Sequence, residues 1–245
     1  MKGGAGDDRI DLLMRKLSLS KIINAYGGTG DDKFFVEPRQ FLTGLTLILE
    51  GGADNDTYIG LGNPHHTIKI KKDAGGGIDT VVVLLGTNYK MADNVEILNV
   101  EEKVYRFTTV LNDFEMPSGG GKLTGNALAN TMSGSSRGEE LRGEGGNDTI
   151  YGGNGNDKVY GGDGNDVLSG NDGIGSVYGE GGDDTLWDTG DWLYGGTGDD
   201  TYVVFTNTAK VMESDDAGVD TVRSLGSHYA LGMYVESIEL ANNAI

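Results

Sequence analysis

The stretch GGNGNDKVYGGDGNDVLSG, residues 152–170, contains the same phrase twice, nine residues apart. Each copy has two glycines, a spacer, a third glycine, a second spacer, an aspartate, and one aliphatic residue between two variable ones. Glycine adopts left-handed backbone angles that other residues avoid, and a tight turn built from it exposes carbonyl oxygen atoms. The phrase therefore predicts a repeated turn followed by a short strand.

The same register extends well beyond this stretch, from Gly125 to Val203. Eight units have nine residues and one has lost two. In chain order they are GNALANTMS, GSSRGEELR, GEGGNDTIY, GGNGNDKVY, GGDGNDVLS, GNDGIGSVY, GEGGDDTLW, DTGDWLY and GGTGDDTYV. A period of this length, sustained over many copies, indicates a solenoid of stacked supersecondary units.

Each unit ends in a strand-like triplet, and only the middle residue of a triplet can point inward, because side chains alternate along a strand. The middle residues are all apolar or aromatic, as a narrow core requires. The predicted inward series is Met132, Leu141, Ile150, Val159, Leu168, Val177, Leu186, Leu193 and Tyr202.

The sixth position of most units is a carboxylate, which suits a calcium ion because calcium binds carboxylate and carbonyl oxygens. One buried aliphatic side chain per unit recovers less free energy than ordering its backbone costs. Stacked carboxylates would also repel one another. We therefore expect that the roll does not close without a cation, whose binding free energy then contributes to folding. The candidate metal ligands are Asp148, Asp157, Asp166, Asp184 and Asp200.

On these residues the segment resembles the RTX (repeats-in-toxin) repeats of bacterial proteins exported by type I secretion. The resemblance implies an all-β fold, a right-handed parallel β-roll or β-helix solenoid, in which two units form one coil. It further implies a six-residue turn and a three-residue strand in each unit, with calcium ions between the turns of units i and i+2. A secreted, extracellular protein that engages the type I secretion machinery is the corresponding expectation.

The two sides of such a roll differ in their sixth positions. Odd units carry Asn130, Asp148, Asp166, Asp184 and Asp200, whereas even units carry Glu139, Asp157, Gly175 and then the shortened unit that contains Asp191. We expect calcium ions between 148/166, 166/184 and 184/200 on the odd side. The even side is expected to hold fewer or weaker ions, chiefly around Asp157.

Three further copies of the turn begin at Gly3, Gly27 and Gly51, at a spacing of 24 residues. A coil of that length would stack Asp8, Asp32 and Asp56 into a second column of calcium ligands. The alternative is that these are isolated turns that bind no metal.

We divide the chain into an N-terminal β-coil segment (1–60), a β-rich spacer (61–124), the β-roll (125–203) and a C-terminal β-rich spacer or cap (204–245). Residues 51–98 resemble residues 195–240, which indicates a longer internal repeat. The second copy ends at Ile245, where a new block would begin, so we expect either a truncated chain or a natural terminus. The start of the chain lacks the apolar segment of a cleaved signal.

Composition narrows the possible partners. Asp plus Glu is 38 against 19 Lys plus Arg, for a formal charge of -19. Nucleic acids and anionic membrane surfaces are therefore repelled, and cations are attracted. The chain contains no cysteine, which excludes disulfides and thiolate metal sites. No apolar run has the length of a transmembrane segment.

Three functions remain open. The first is a calcium-binding module that folds on extracellular calcium, assists type I secretion, and stabilises or presents attached domains. The second is the non-catalytic part of a secreted enzyme that acts on polysaccharides, lipids or proteins. In both, this chain itself is expected to be non-catalytic, because GSSRG (134–138) lacks the strand-to-helix setting of a nucleophile elbow.

The third is an adhesin or host-interaction segment that binds extracellular glycan. It rests on an outward column at position nine of the even units, which consists of Arg142, Tyr160, Tyr178 and Tyr194. The alternative interpretation of this column is cross-strand stacking that stiffens the roll.

Overall fold

The computed structural model describes residues 1–12, 22–36, 45–61, 66–72, 76–84, 88–101, 120–187, 190, 192–205, 209–214, 218–226 and 234–240. Within these ranges the protein is all β. The described residues include no helix that is long and apolar enough to cross a membrane. The chain divides into two compact units, Met1–Ser118 and Gly119–Ile245. The four-part division made from the sequence is finer than this and stays a prediction.

The N-terminal unit alternates between two parallel sheets. Odd-numbered strands pair in the order β1-β3-β5-β7-β9, and the second sheet has the order β2-β4-β6. The strands are β1 (Arg9–Leu12), β2 (Ile22–Thr29), β3 (Lys33–Val36), β4 (Leu45–Ala53), β5 (Thr57–Leu61), β6 (His66–Lys71), β7 (Thr80–Leu84), β8 (Tyr89–Lys90) and β9 (Ile97–Glu101).

The register confirms the predicted 24-residue coil in this unit. Arg9 pairs with Lys33, and Lys33 pairs with Thr57. Long coils bring several large side chains into the core of each turn. Phe34 and Tyr58, for example, are fully buried, and their rings stack with centroids 5.1 Å apart. The other fully buried apolar residues of the unit are Ala25, Leu47, Leu49, Val81, Val83, Val95 and Leu98.

The C-terminal unit has the same alternation with shorter coils. One parallel sheet contains β11-β13-β15-β17-β19-β21-β22, and the other contains β20-β18-β16-β14-β12-β10. The strands are β10 (Lys122–Thr124), β11 (Thr131–Ser133), β12 (Glu140–Gly145), β13 (Thr149–Tyr151), β14 (Lys158–Asp163), β15 (Val167–Ser169), β16 (Ser176–Gly181), β17 (Thr185–Trp187), β18 (Trp192–Thr197), β19 (Thr201–Val204), β20 (Lys210–Met212), β21 (Thr221–Ser224) and β22 (Ser237–Leu240).

The stacking of alternate units is confirmed. Ile150 pairs with Leu168, and Leu168 pairs with Leu186, in a parallel register. Every residue of the predicted inward series, from Met132 to Tyr202, is fully buried. The described residues of the nonapeptides therefore form a parallel β-roll in which each repeat contributes one fully buried apolar or aromatic side chain of the predicted series.

The strands of the even units are longer than the predicted triplets. β14 and β16, for example, continue into the first three residues of the next unit, where Gly162 pairs with Glu180. These residues lie at positive φ, 116° for Gly162 and 77° for Glu180. The first half of an odd unit is thus part of a ladder between coils rather than a free turn.

Candidate metal centres

The sixth-position aspartates of the C-terminal unit are buried at the entrance to the strands. Asp148 directly precedes β13, Asp166 precedes β15, Asp184 precedes β17 and Asp200 precedes β19. All four are 1% exposed. Because the strands that follow are paired in register, the carboxylates lie one above another. We refer to the stacked residues Asn130, Asp148, Asp166, Asp184, Asp200 and Asp220 as the C-terminal column.

One oxygen of each carboxylate in this column accepts a hydrogen bond from a backbone N–H. The backbone N–H of Asp148 donates to Asp166 Oδ1 at 2.7 Å, and the N–H of Asp166 donates to Asp184 Oδ1 at 2.7 Å. The N–H of Asp184 donates to Asp200 Oδ1, and the N–H of Asp200 donates to Asp220 Oδ1. Each aspartate is therefore held in one orientation by the coil that precedes it.

The second oxygen of the same carboxylates is buried and has no hydrogen-bond partner among the described residues. A buried acceptor without a partner loses its hydration and gains nothing in exchange, so it is unfavourable unless a ligand compensates it. In the C-terminal column the atoms concerned are the Oδ2 atoms of Asp148, Asp166, Asp184, Asp200 and Asp220. The Oδ2 atoms of Asp32, Asp56 and Asp79 in the N-terminal unit are in the same situation.

Except for Asp79 and Asp220, these Oδ2 atoms lie over the first glycine of their own turn. A Cβ added to Gly161 would collide with Asp166 Oδ2 and with the carbonyl oxygen of Gly179 on the next coil. The same holds at Gly143, where Asp148 Oδ2 and the carbonyl oxygen of Gly161 converge. Only glycine leaves room for carboxylate and carbonyl oxygens to face one point.

The electrostatics of the column also favour a cation. Burial raises the pKa of Asp148 to about 7, of Asp166 to about 6, of Asp184 to about 8 and of Asp200 to about 7. The backbone hydrogen bond to each carboxylate acts in the opposite direction, and nearby carboxylates add to the rise. A divalent cation would favour the ionised carboxylates that burial disfavours.

The donor set fits calcium. It consists of carboxylate and backbone carbonyl oxygens, which are the ligands that calcium takes. Asp148, Asp166, Asp184 and Asp200 would supply the carboxylate oxygens, and Gly161, Gly179 and Gly195 offer the carbonyls. When bound, the ion would supply the positive charge that this stack lacks. The placement of ions between particular pairs stays a prediction.

The even side of the roll is poorer in such groups. Asp157 is buried, and its Oδ1 accepts the N–H of Glu139 at 2.7 Å, while its Oδ2 lies over Gly152. Glu139 itself is bound by Ser135, whose hydroxyl donates to Oε1 at 2.5 Å. Gly175 has no side chain to offer, and Asp191 lies outside the described residues. The expected difference in calcium loading between the two sides stays a prediction.

The three aspartates of the N-terminal turns are brought together as expected. The N–H of Asp8 donates to Asp32 Oδ1 at 2.8 Å, and the N–H of Asp32 donates to Asp56 Oδ1 at 2.9 Å. Asp56 continues to Asp79 Oδ1 at 2.9 Å. We call these four residues the N-terminal column. Asp32 and Asp56 are buried, whereas Asp8 is half-buried, and calcium binding at this column stays a prediction.

Sequence reasoning missed the last residues of both columns. Asp79 and Asp220 stand outside any complete nonapeptide, but each occurs in the pattern Gly-x-Asp-Thr-Val at the start of a strand. That pattern, together with the internal repeat, could have identified both aspartates as members of the columns. Glu213 was also missed, although its carboxylate lies within 4.8 Å of ligand atoms of Asp200 and Asp220.

The outward tyrosine column is confirmed as a continuous stack. The rings of Tyr160 and Tyr178 have centroids 4.8 Å apart, and those of Tyr178 and Tyr194 are 4.7 Å apart. The guanidinium of Arg142 lies 3.9 Å from the centroid of Tyr160. Because the ring faces lie against one another, this arrangement favours the stiffening interpretation over a platform for sugar rings.

A comparison with known families identifies part of this segment independently. Residues 133–168 and 160–187 match a family model described as "RTX calcium-binding nonapeptide repeat (4 copies)". No curated protein matches the chain. The matched residues include Asp148, Asp166 and Asp184 with their partnerless oxygens. Residues 133–187 of this chain therefore consist of RTX calcium-binding nonapeptide repeats.

Proposed function

We propose that the chain is a calcium-triggered folding module of a secreted bacterial protein. It leaves the cell through the type I secretion machinery in an unfolded state, and it folds where extracellular calcium is available. The folded roll then stabilises or presents the domains attached to it. In this proposal the chain contributes binding and rigidity, and any catalysis belongs to attached domains.

One observation carries the proposal: the repeated, buried Oδ2 atom that faces a glycine and a carbonyl oxygen. Along Asp148, Asp166 and Asp184 the same unfavourable feature recurs on every coil. A fold that buries carboxylates in this way gains stability only when their charge is compensated, so its stability depends on the cation concentration. Low cytosolic calcium and high extracellular calcium then act as a switch between the two states.

The two alternatives differ in their support. A non-catalytic role beside a secreted enzyme is compatible with the same calcium-dependent folding, and the sequence of the attached domains would identify it. Glycan binding has less support, because Tyr178 has a ring stacked on each face.

The test is a calcium titration of the full chain followed by circular dichroism. We expect the spectrum to convert cooperatively from a disordered form to a β form as CaCl2 is added after chelation. Asp166→Asn keeps an acceptor for the N–H of Asp148 but removes the charge, so the midpoint should rise by about tenfold. Asp163→Asn is the matched control, because Asp163 is exposed in the same unit and should leave the midpoint unchanged.

A chain that keeps its full β signal in excess chelator would contradict the proposal. An Asp166→Asn midpoint equal to that of the Asp163→Asn control would also contradict it.

A further inference from the structure

Glycine occupies the same position at the start of successive coils. Each of the two compact units has one described coil in which another residue stands at this position. In the C-terminal unit, Tyr194 pairs with Met212, so the next residues, Gly195 and Glu213, occupy equivalent places on successive coils. In the N-terminal unit, Glu50 pairs with Lys71, so Gly51 and Lys72 are equivalent in the same way. Glu213 and Lys72 thus stand where the preceding coils have glycine.

The equivalence of these two residues extends to their surroundings. Lys72 is seven residues before Asp79, and Glu213 is seven residues before Asp220. The N–H of Asp79 donates to Glu96 Oε2 at 2.9 Å, and the N–H of Asp220 donates to Glu236 Oε2 at 2.7 Å. The two surroundings carry opposite charges at the position that is occupied by Lys72 in one unit and by Glu213 in the other.

In the N-terminal unit this position supplies a positive charge. The side chain of Lys72 is 1% exposed, and its Nζ lies 2.8 Å from Glu96 Oε2 and 3.7 Å from Asp79 Oδ1. Lys72 Nζ also donates to the carbonyl oxygen of Gly77 at 2.8 Å. The last carboxylates of the N-terminal column are therefore compensated by the protein itself.

In the C-terminal unit the same position adds a third carboxylate. Ligand oxygens of Asp200, Glu213 and Asp220 lie within 4.8 Å of one another. In the part of the chain that the structure describes, no Lys or Arg forms an ion pair with any of them. The hydroxyl of Tyr202 donates to Glu213 Oε1, which fixes that carboxylate toward the cluster.

The two buried aspartates provide an independent sign of a ligand. Asp200 and Asp220 are each 1% exposed, and the Oδ2 atom of each has no hydrogen-bond partner. A Cβ added to Gly195 would collide with Asp200 Oδ2, and it would also meet Tyr202 Oη and Glu213 Oε1. On earlier coils a glycine carbonyl lies close to this point, and here Glu213 adds a carboxylate oxygen to it.

We propose that Asp200, Glu213 and Asp220 form a carboxylate-rich calcium site that closes the C-terminal column, in place of the ammonium of Lys72. The site lies outside the matched nonapeptides and takes one ligand from a residue that no repeat supplies. Calcium is the cation expected, because all the candidate ligands are oxygens and three of them are anionic. Burial, and then the charges of Asp220 and Asp200, raise the pKa of Glu213 to about 7, so a bound cation would favour its ionised form. The proposal rests on the proposed function only for the identity of the ion.

The test counts the calcium ions bound per full-length chain by equilibrium dialysis with CaCl2. Glu213→Lys supplies the ammonium found in the other unit, so it should bind one ion fewer than the wild type. Glu213→Gln keeps the size of the side chain and its contact with Tyr202, and it should weaken one site by at least about tenfold. Glu239→Lys is the matched control, because it makes the same charge change at an exposed position of β22 and should leave the count unchanged.

Equal ion counts and affinities in the wild type and both Glu213 variants would overturn the site, even if the wild type still folds on calcium. Should Glu213→Lys fail to give a β spectrum, Glu213→Gln decides the question by the same comparison. A wild-type chain that takes up no calcium would overturn both this site and the proposed function.

Discussion

The N-terminal and C-terminal units both stack aspartates on parallel coils, but the residues beside their last carboxylates carry opposite charges. Lys72 places a buried ammonium beside Asp79 and Glu96, whereas Glu213 adds a further carboxylate beside Asp200 and Asp220. The backbone frameworks around the two positions are equivalent. The N-terminal unit balances its last carboxylates with its own side chain, whereas the C-terminal unit brings three carboxylates together at the place where we propose a calcium ion.

The two units also differ in how much apolar surface supports the column. The 24-residue coils bury large rings such as Phe34 and Tyr58, together with Leu47 and Leu49 on the second sheet. The nonapeptide coils bury one inward side chain per strand, such as Ile150 or Leu168. Because burial of apolar surface is the main favourable contribution to folding, the C-terminal unit should depend more strongly on calcium.

The largest expected effect comes from removing calcium altogether. In excess chelator, the amides of Asp148, Asp166 and Asp184, which donate along the column, should exchange with solvent at nearly unfolded rates. Amides of the N-terminal coils should keep more protection. Hydrogen–deuterium exchange followed by mass spectrometry of the full chain measures both in one experiment. Equal loss of protection in the two units would contradict the expectation that the C-terminal unit depends more strongly on calcium.

Lys72→Met should have the next largest effect, because it leaves Glu96 and Asp79 without their buried cation. Removing one partner of a buried ion pair destabilises a protein by about 3–5 kcal/mol. Chemical denaturation of the calcium-loaded chain should show this loss in the N-terminal unit. Lys71→Met is the control, since Lys71 is exposed and adjacent in sequence. Similar unfolding midpoints for the two variants would mean that the ammonium does not stabilise the column.

Gly161→Ala tests the space beneath the carboxylates. The added Cβ would collide with Asp166 Oδ2 and the carbonyl oxygen of Gly179, and we expect a loss of about 1–3 kcal/mol. Gly145→Ala is the matched control, since its nearest neighbour would be 3.7 Å away. Thermal unfolding in CaCl2 distinguishes the two variants. Comparable melting temperatures would show that the glycine is not required for close approach.

The pH dependence of the calcium-free chain gives a smaller effect with a defined sign. The pKa of Asp148 and Asp200 is about 7 in the folded unit against an ordinary 3.8, so the folded state binds more protons than the unfolded state between these values. Stability in chelator should therefore rise as the pH falls from about 8 to about 5.5. Circular dichroism at the two pH values checks this. A β signal that decreases toward pH 5.5 would contradict the assignment.

The smallest expected effect concerns the tyrosine stack. Tyr178→Leu removes ring contacts with Tyr160 and Tyr194 and should cost about 1 kcal/mol, without changing the number of bound calcium ions. Tyr151→Leu, at an exposed position on the odd side, serves as the control. The measurements are the melting temperature and the ion count. If Tyr178→Leu bound one calcium ion fewer, the prediction that the tyrosine stack does not affect the metal sites would be wrong.

Much of this architecture was predictable from periodicity alone. The nine-residue register correctly gave the inward series from Met132 to Tyr202, and the 24-residue spacing correctly stacked Asp8, Asp32 and Asp56. Both predictions depend on the local repeat, because parallel coils place equivalent residues in contact.

The residues that close the columns were not predictable in the same way. Lys72 and Glu213 break the glycine row, and their role appears only when the next coil is placed in register with Gly51 and Gly195. The extension of β14 and β16 into the following unit was also missed. These strands are longer because the backbone also pairs between coils at glycine and glutamate residues, as at Gly162 and Glu180. The periodicity of the side chains does not predict this pairing.

The hydrogen bonds to the carboxylates of the columns all run in one direction. Each aspartate N–H donates to the carboxylate of the coil that follows it in sequence, from Asp148 to Asp166 and onward to Asp220. A partly assembled roll therefore has chemically different faces. Its N-terminal face presents a carboxylate oxygen that lacks its donor, and its C-terminal face presents an aspartate N–H that lacks its acceptor. Backbone bonds between the same coils run the other way, as from the N–H of Val167 to the carbonyl oxygen of Asp148, so each face of a partly assembled roll exposes both donors and acceptors for the next coil.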